Sequence, residues 1–278
     1  MHIQRGAWAE INLDAVAHNV QMAKANLKPT TKLCAVVKAD AYGHGAVRVA
    51  QEAARNGADF FAVALLQEGV KLREAGIETP ILVLGSMLPE VAEICVRYDI
   101  SHAVFDEERL YALNAAALKL HTKAKIHIKI DTGMHRIGVH VRDAGRFAKL
   151  AASLPGIYIE GVFSHFATAD ADDKQYAAYQ FERFQEALRL IEAEGVHIPI
   201  RHIANSAALT ELQEYQLDMV RQGITLYGLH PAHMIDCYKD FEPVMTVKTQ
   251  VAFVKTLPPG ESIGYGRTYT LTLSLIHI

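Results

Sequence analysis

The first residues with chemical potential are in the run Leu33-Cys34-Ala35-Val36-Val37-Lys38-Ala39-Asp40-Ala41-Tyr42-Gly43-His44-Gly45. A lysine closes an apolar stretch there, and a glycine-punctuated turn follows. A lysine pointing from a strand end into an apolar mouth is partly desolvated. Desolvation disfavours the ammonium and exposes the neutral, nucleophilic amine that Schiff-base chemistry with a carbonyl requires. Taken alone, Lys38 better suits a lysine snorkelling away from a strand end. A second candidate is Asn205-Ser206, where an apolar strand gives way to a helix expected to begin near Ala207. Free N–H groups and the helix dipole at such a point favour a phosphate. Gly223, with Ile224 after it, would let the backbone approach that phosphate closely. The plainer alternatives are a serine N-cap and a turn glycine. Arg221, two residues before Gly223, is a permanently protonated donor. The histidine pairs His135/His140 and His230/His233 lack a third ligand at fixed spacing, which argues against a metal site.

The lysine run resembles the cofactor-lysine motif of alanine racemases. Further runs match that family in the same order: Lys129-Ile130-Asp131-Thr132-Gly133-Met134-His135-Arg136-Ile137-Gly138, Phe163-Ser164-His165-Phe166-Ala167, His202-Ile203-Ala204-Asn205-Ser206-Ala207-Ala208, Val220-Arg221-Gln222-Gly223-Ile224 and Gly264-Tyr265-Gly266-Arg267-Thr268-Tyr269. The resemblance implies a pyridoxal 5'-phosphate enzyme that racemises L-alanine to D-alanine by two-base proton transfer at Cα, supplying D-alanine for peptidoglycan. It implies Lys38 as the cofactor lysine and the base on one face. It implies Tyr265, reaching the partner subunit's site in a homodimer, as the base on the other. Tyr42, Asn205, Ser206, Gly223 and Ile224 are then expected around the phosphate, and His165 against the cofactor. Arg221 is expected at the pyridine nitrogen, where an arginine leaves the ring a weak electron sink and limits side reactions. Arg136 would meet the phenolic oxygen and the substrate carboxylate. Lys129 would be the lysine that is carbamylated in some relatives. A broader serine or lysine racemase, a decarboxylase and a catalytically incomplete cofactor-binding fragment are the alternatives. The Tyr265 run argues against the decarboxylase, because opposed bases serve two-sided proton transfer.

The elements that must hold these residues follow from the apolar pattern. Candidate strands are Leu33–Lys38, Phe60–Ala64, Ile81–Leu84, His102–Phe105, Lys125–Ile130, Ile157–Phe163, Ile200–Ile203 and Leu217–Val220. They are solid apolar runs, as a parallel sheet covered on its outer face demands. Amphipathic stretches lie between them, among them Ala46–Arg55, Glu107–Leu118, Asp143–Ala152 and Tyr176–Glu194. Eight strand–helix repeats predict an α/β fold, a (β/α)8 TIM-type barrel, with its site at the carboxyl ends of the strands. An open doubly wound sheet is disfavoured because Gly43-His44-Gly45 lacks the third glycine of the dinucleotide fingerprint. After about residue 240 the texture becomes alternating and rich in Val and Thr. The expected division is a barrel over 1–236, whose first ten or so residues pair with the second domain, and an incomplete β domain over 237–278. The chain is expected to be cut short at its carboxyl end, where Leu273-Ser274-Leu275-Ile276-His277-Ile278 reads like a translated sequencing adaptor.

Composition narrows the class. The 278 residues are half apolar and 21% charged, with a net charge of −3 and no basic stripe to attract nucleic acid. No apolar run is long enough for a membrane helix, and the amino end lacks a signal-peptide core. Cys34, Cys95 and Cys237 are scattered, and an odd number cannot fully pair, so reduced thiols in the cytoplasm are expected.

Overall fold

A computed structural model describes residues 6–231, 238–273 and 275–277. By contact density the chain divides into two units, Met1–Ile11 with Met245–Ile278, and Asn12–Val244. The sequence-based boundary at 236/237 lies outside the described residues.

Strand β1 (Ala7–Ile11) belongs to the smaller unit. The larger unit opens with α1 (Leu13–Ala25), capped by Asn12, whose side chain accepts from Asp14 N at 3.0 Å. Eight parallel strands follow in chain order. They are β2 (Lys32–Val36), β3 (Phe60–Val63), β4 (Ile81–Val83), β5 (Ser101–Val104) and β6 (Ala124–Asp131), then, after the two-residue β7 (Val139–His140) beside β6, β8 (Ile157–Phe163), β9 (Ile200–His202) and β10 (Met219–Gln222). Their order is β10-β2-β3-β4-β5-β6-β8-β9, and backbone bonds from Asp218 N to Arg201 O and Arg221 N to Ala204 O, both 3.1 Å, link the last strand to β9. The expected barrel is therefore what forms. Strands β3, β4, β5 and β10 are buried at every residue. That explains why they read as unbroken apolar runs: the barrel interior covers one face and helices the other. Cys34, Val36, Phe60, Ala62, Leu82, Ile200 and Met219 form one packed cluster of this core.

The covering helices are α3 (Ala46–Arg55), α4 (Leu66–Glu74), α5 (Ala92–Arg97), α6 (Glu107–Lys119), α7 (Ala144–Ser153), α8 (Gln175–Ala193) and the short α9 (Ser206–Glu211). Helix α3 shows why they pack: Ala46, Val49, Ala50 and Ala53, at helical spacing, are its buried residues. Helix α6 starts where Asp106 caps it, accepting from Arg109 N at 3.0 Å.

Strand ends differ from the sequence reading at two functional points. Strand β2 stops at Val36 rather than at Lys38, because the segment α2 (Lys38–Tyr42) winds left-handed: Ala39, Asp40, Ala41 and Tyr42 have φ between 51° and 56°. Strand β10 starts at Met219 rather than Leu217, whose φ of 52° turns the chain into the strand.

In the smaller unit β1 pairs antiparallel with β11 (Met245–Thr249) over the whole length of both, from Ala7 opposite Thr249 to Ile11 opposite Met245. The pairs β12 (Lys255–Leu257) with β15 (Leu275–His277) and β13 (Ser262–Ile263) with β14 (Tyr269–Thr270) are also antiparallel. Among the described residues no helix is long and apolar enough to cross a membrane.

Candidate active site

The carboxyl ends of the barrel strands enclose a cavity of about 500 Å³. Lys38, Tyr42, Lys129, Arg136, His165, Asn205, Ser206, Arg221, Gly223 and Ile224 all line it, with Phe163 and Leu84 among the apolar wall residues.

Lys38 reaches the cavity from the left-handed turn. The turn is held by Ala41 N to Val37 O and Gly43 N to Ala39 O, both 3.0 Å, and by side chains from outside it. Glu68 of α4 accepts from Ala39 N at 2.6 Å, and Asp40 accepts from Ala46 N at 3.0 Å. The half-buried Lys38 has its Nζ 5.6 Å from the centre of the Tyr42 ring, which lies 5.1 Å from that of the buried Tyr227. Burial pushes the Tyr42 phenol above its ordinary range, so it acts as a hydrogen-bond donor rather than a phenolate.

The loops after β9 and β10 line the cavity with donors. The cap of α9 is Asn205, not the serine of the plainer alternative: its Oδ1 accepts from Ala208 N at 3.1 Å. The buried Ser206 is thereby released to accept from Gly223 N at 2.8 Å and from Thr225 Oγ1 at 3.2 Å, which ties the loop after β9 to the loop after β10. Amides in the first turn of a helix have no helical acceptor and point outward. A side chain on Gly223 would begin 3.5 Å from Ser206 Oγ and 3.7 Å from the Tyr42 hydroxyl, so it would occupy the space these groups surround. A phosphate fits such a cradle.

Arg221 also lines the cavity, buried and without a carboxylate partner among the described residues. It donates to His202 Nδ1 at 2.7 Å, Ser164 O at 2.8 Å, His165 Nδ1 at 3.0 Å and Ile203 O at 3.1 Å. Burial pushes its guanidinium down to about 10, which still leaves it protonated at neutral pH. His165, half-buried, is held well below the ordinary histidine range by desolvation first and by Arg221 next, so it is a neutral ring. Lys129 is buried, donates to Ile130 O at 3.1 Å and lies 5.1 Å from the Phe163 ring centre. Desolvation and the neighbouring Arg221 hold its amine far below the ordinary lysine range. Arg136 is exposed, in the turn after β6. Asp131 shapes that turn by accepting from Gly133 N and His135 N, both at 3.0 Å.

Tyr265 is in the smaller unit, where it is fully exposed at the start of a 3-10 turn, Tyr265–Arg267. His135 is bonded to Asp131, and His140 accepts from Arg142 N. His233 and Cys237 lie outside the described residues, and no group of three metal-binding side chains occurs among the described ones. His202, Ser164 and Phe163 carry no role on sequence alone, although all three stand inside the quoted runs. The signal for His202 and Ser164 is a polar residue at or just past the end of a buried strand.

The family model described as "Alanine racemase, N-terminal domain" matches residues 11–231. An alanine racemase of Desulfovibrio desulfuricans is 46% identical over 265 residues, which is 95% of this chain and 71% of that protein. One of Halothermothrix orenii is 45% identical over 96% of this chain and 70% of its own length. Among solved structures, alanine racemase of Clostridium difficile 630 superposes with a TM-score of 0.93 at 38% identity, covering 99% of this chain and 72% of that one. The Bacillus anthracis alanine racemase with bound L-Ala-P gives a TM-score of 0.91 at 35% identity, covering 99% of this chain and 72% of that one.

Proposed function

The chain belongs to the alanine racemase family, pyridoxal phosphate isomerases that interconvert L- and D-alanine, and on that premise we propose how its own residues divide the work. One observation carries the reading: every barrel residue singled out by sequence lines a single cavity, of a size usual for a cofactor with a small substrate.

When bound, pyridoxal phosphate supplies an aldehyde for the substrate amine and a conjugated ring that spreads the charge left as the Cα proton departs. Lys38 is its attachment point, and the freed Nζ takes or returns that proton on one face. The amides of Ser206 and Ile224, with the Ser206 and Tyr42 hydroxyls, hold the phosphate, while Asn205 caps that turn and Gly223, bonded to Ser206, leaves the room. Arg221 donates to the ring nitrogen without releasing its proton, because a guanidinium titrating near 10 stays charged at neutral pH. His165 packs against the ring, and Arg136 receives the substrate carboxylate. The depressed Lys129 amine is suited to add carbon dioxide, forming a carbamate as one proton leaves to solvent. The resulting negative charge would lie among the cations Arg221 and Arg136, both of which act on Lys129.

Tyr265 of a second copy provides the opposite base. The working form is therefore a homodimer, in the cytoplasm, supplying D-alanine for peptidoglycan. The expected domains are a barrel to residue 236 and a β domain from 237.

Borohydride reduction of the cofactor-loaded chain tests the assignment. The cofactor mass should stay on the peptide containing Lys38, and mass on any other peptide contradicts it. In the same way, Tyr265→Phe should slow proton abstraction from one enantiomer far more than from the other; equal losses contradict opposed bases.

A further inference from the structure

A line of buried side chains runs from Arg221 down the barrel interior and ends at a carboxylate the reaction does not use. Arg221 Nη1 lies 2.7 Å from His202 Nδ1, His202 Nε2 lies 2.8 Å from His127 Nδ1, and His127 Nε2 lies 3.1 Å from Glu160 Oε2. Both imidazoles are completely buried. Ser101 Oγ donates to the same Glu160 oxygen at 2.5 Å.

Only one proton assignment satisfies this line. A guanidinium can only donate, so His202 Nδ1 is bare. The neutral ring then carries its proton on Nε2 and donates to His127 Nδ1, which must also be bare. His127 therefore carries its proton on Nε2 and donates to the carboxylate. Protonating His127 twice would set its Nδ1–H against the Nε2–H of His202. The line cannot relay protons either, because Arg221 would have to accept one.

The backbone is shaped for this contact. Between β6 and β8, Ile126 faces Ile159 but His127 faces Gly161, so Glu160 is the extra residue of a bulge. A bulge re-aims a side chain that a regular strand would place elsewhere. Gly161 leaves room for the ring: a Cβ there would lie 2.5 Å from His127 Nδ1 and 2.7 Å from Ile200 O. The His202 ring is stacked on Phe163, with centroids 4.9 Å apart and an interplanar angle of 4°.

We propose that Glu160 is a positioning residue for Arg221: it accepts the last proton of the line and so seats His127, His202 and, through them, the guanidinium. Its catalytic consequence rests on the reading of Arg221 as the partner of the ring nitrogen; the seating of the two rings does not. The test is nitrogen-15 and proton NMR of the full chain labelled in histidine, with kcat and KM for alanine measured on the cofactor-loaded protein. In the parent both rings should be protonated at Nε2. Glu160→Leu removes the acceptor of the His127 proton. Arg221 still requires a bare His202 Nδ1, so both tautomers should persist while the His202 ring resonances shift with those of His127, and kcat should fall about tenfold at unchanged KM, as loss of one well-made charged hydrogen bond would give. Glu160→Gln should keep the His202 resonances and nearly all of kcat, since one amide oxygen can take both bonds now made to Oε2. If Glu160→Leu does not fold, Glu160→Asp retains the charge, withdraws the oxygen by one methylene and gives the same reading. Unmoved His202 resonances in the Leu or Asp variant, or an equal shift in Gln, would overturn the proposal. Shifted His202 resonances with kcat intact would overturn the positioning role alone and place the fault in the reading of Arg221.

Discussion

Replacing Ala39 by glycine should stabilise the chain while impairing its chemistry. Four consecutive non-glycine residues, Ala39 to Tyr42, occupy the left-handed region. An L-residue there costs about 1–2 kcal/mol, because Cβ crowds the following carbonyl. Ala39 has φ 52° and ψ 49° and is exposed, so glycine would relieve that crowding without sacrificing packing. Against this stands the greater freedom of glycine in the unfolded chain, about 0.4–1 kcal/mol. The balance is a gain of about 0.5–1 kcal/mol. Ala41 has the same geometry but is fully buried, so Ala41→Gly forfeits contacts and should gain less. Urea unfolding followed by far-UV circular dichroism is the assay, since the single tryptophan, Trp8, is in the smaller unit. Lys38 adjoins residue 39, and a turn free to leave the left-handed region holds its amine less firmly. Retention of the cofactor after borohydride should therefore decrease as the urea midpoint increases. A lower midpoint at unchanged slope would refute the strain argument, and a rise in both quantities would refute the link between strain and lysine placement.

Two further perturbations follow from the geometry. Glu68 accepts from three amides, Ala39, Ala64 and Leu65, at 2.6, 2.8 and 3.0 Å. Glu68→Ala should cost about 2 kcal/mol in urea unfolding. Glu68→Gln should also be destabilised, because one of its two termini becomes a donor facing donors, and a Gln variant as stable as the parent would contradict this. Lys129 is held well below its ordinary value by burial, so the unfolded chain binds more protons than the folded one, and folding is penalised below the unfolded lysine value of about 10.4. In carbonate-free buffer Lys129→Met should therefore raise the urea midpoint at neutral pH, and the advantage should shrink as pH climbs toward that value. An advantage independent of pH would contradict it.

Much of the barrel was legible because burial on both faces forces continuous apolar runs, as in Phe60–Val63 and Ile81–Val83. The cavity residues were legible because chemistry restricts them to particular types at strand ends. The left-handed turn was not, since nothing in Ala39, Ala41 or Tyr42 favours positive φ; contacts from Glu68, Lys71 and Tyr227 impose it. Asn205 and Ser206 are both good caps, and sequence could not tell which would cap α9 and which would bridge to Gly223. The bulge at Glu160 left a faint trace, a charged residue beside a glycine within a buried strand. Its meaning depended on His127 and His202 arriving from two other strands.

Two-sided proton transfer at Cα of alanine in the barrel-mouth cavity can be followed by incubating the cofactor-loaded chain with L-alanine in heavy water and measuring both Cα deuterium and the enantiomer formed. Opposed bases should give D-alanine carrying deuterium at Cα. Cofactor bound at Lys38 with neither deuterium uptake nor inversion would contradict it, and deuterium confined to L-alanine would show a base on one face only.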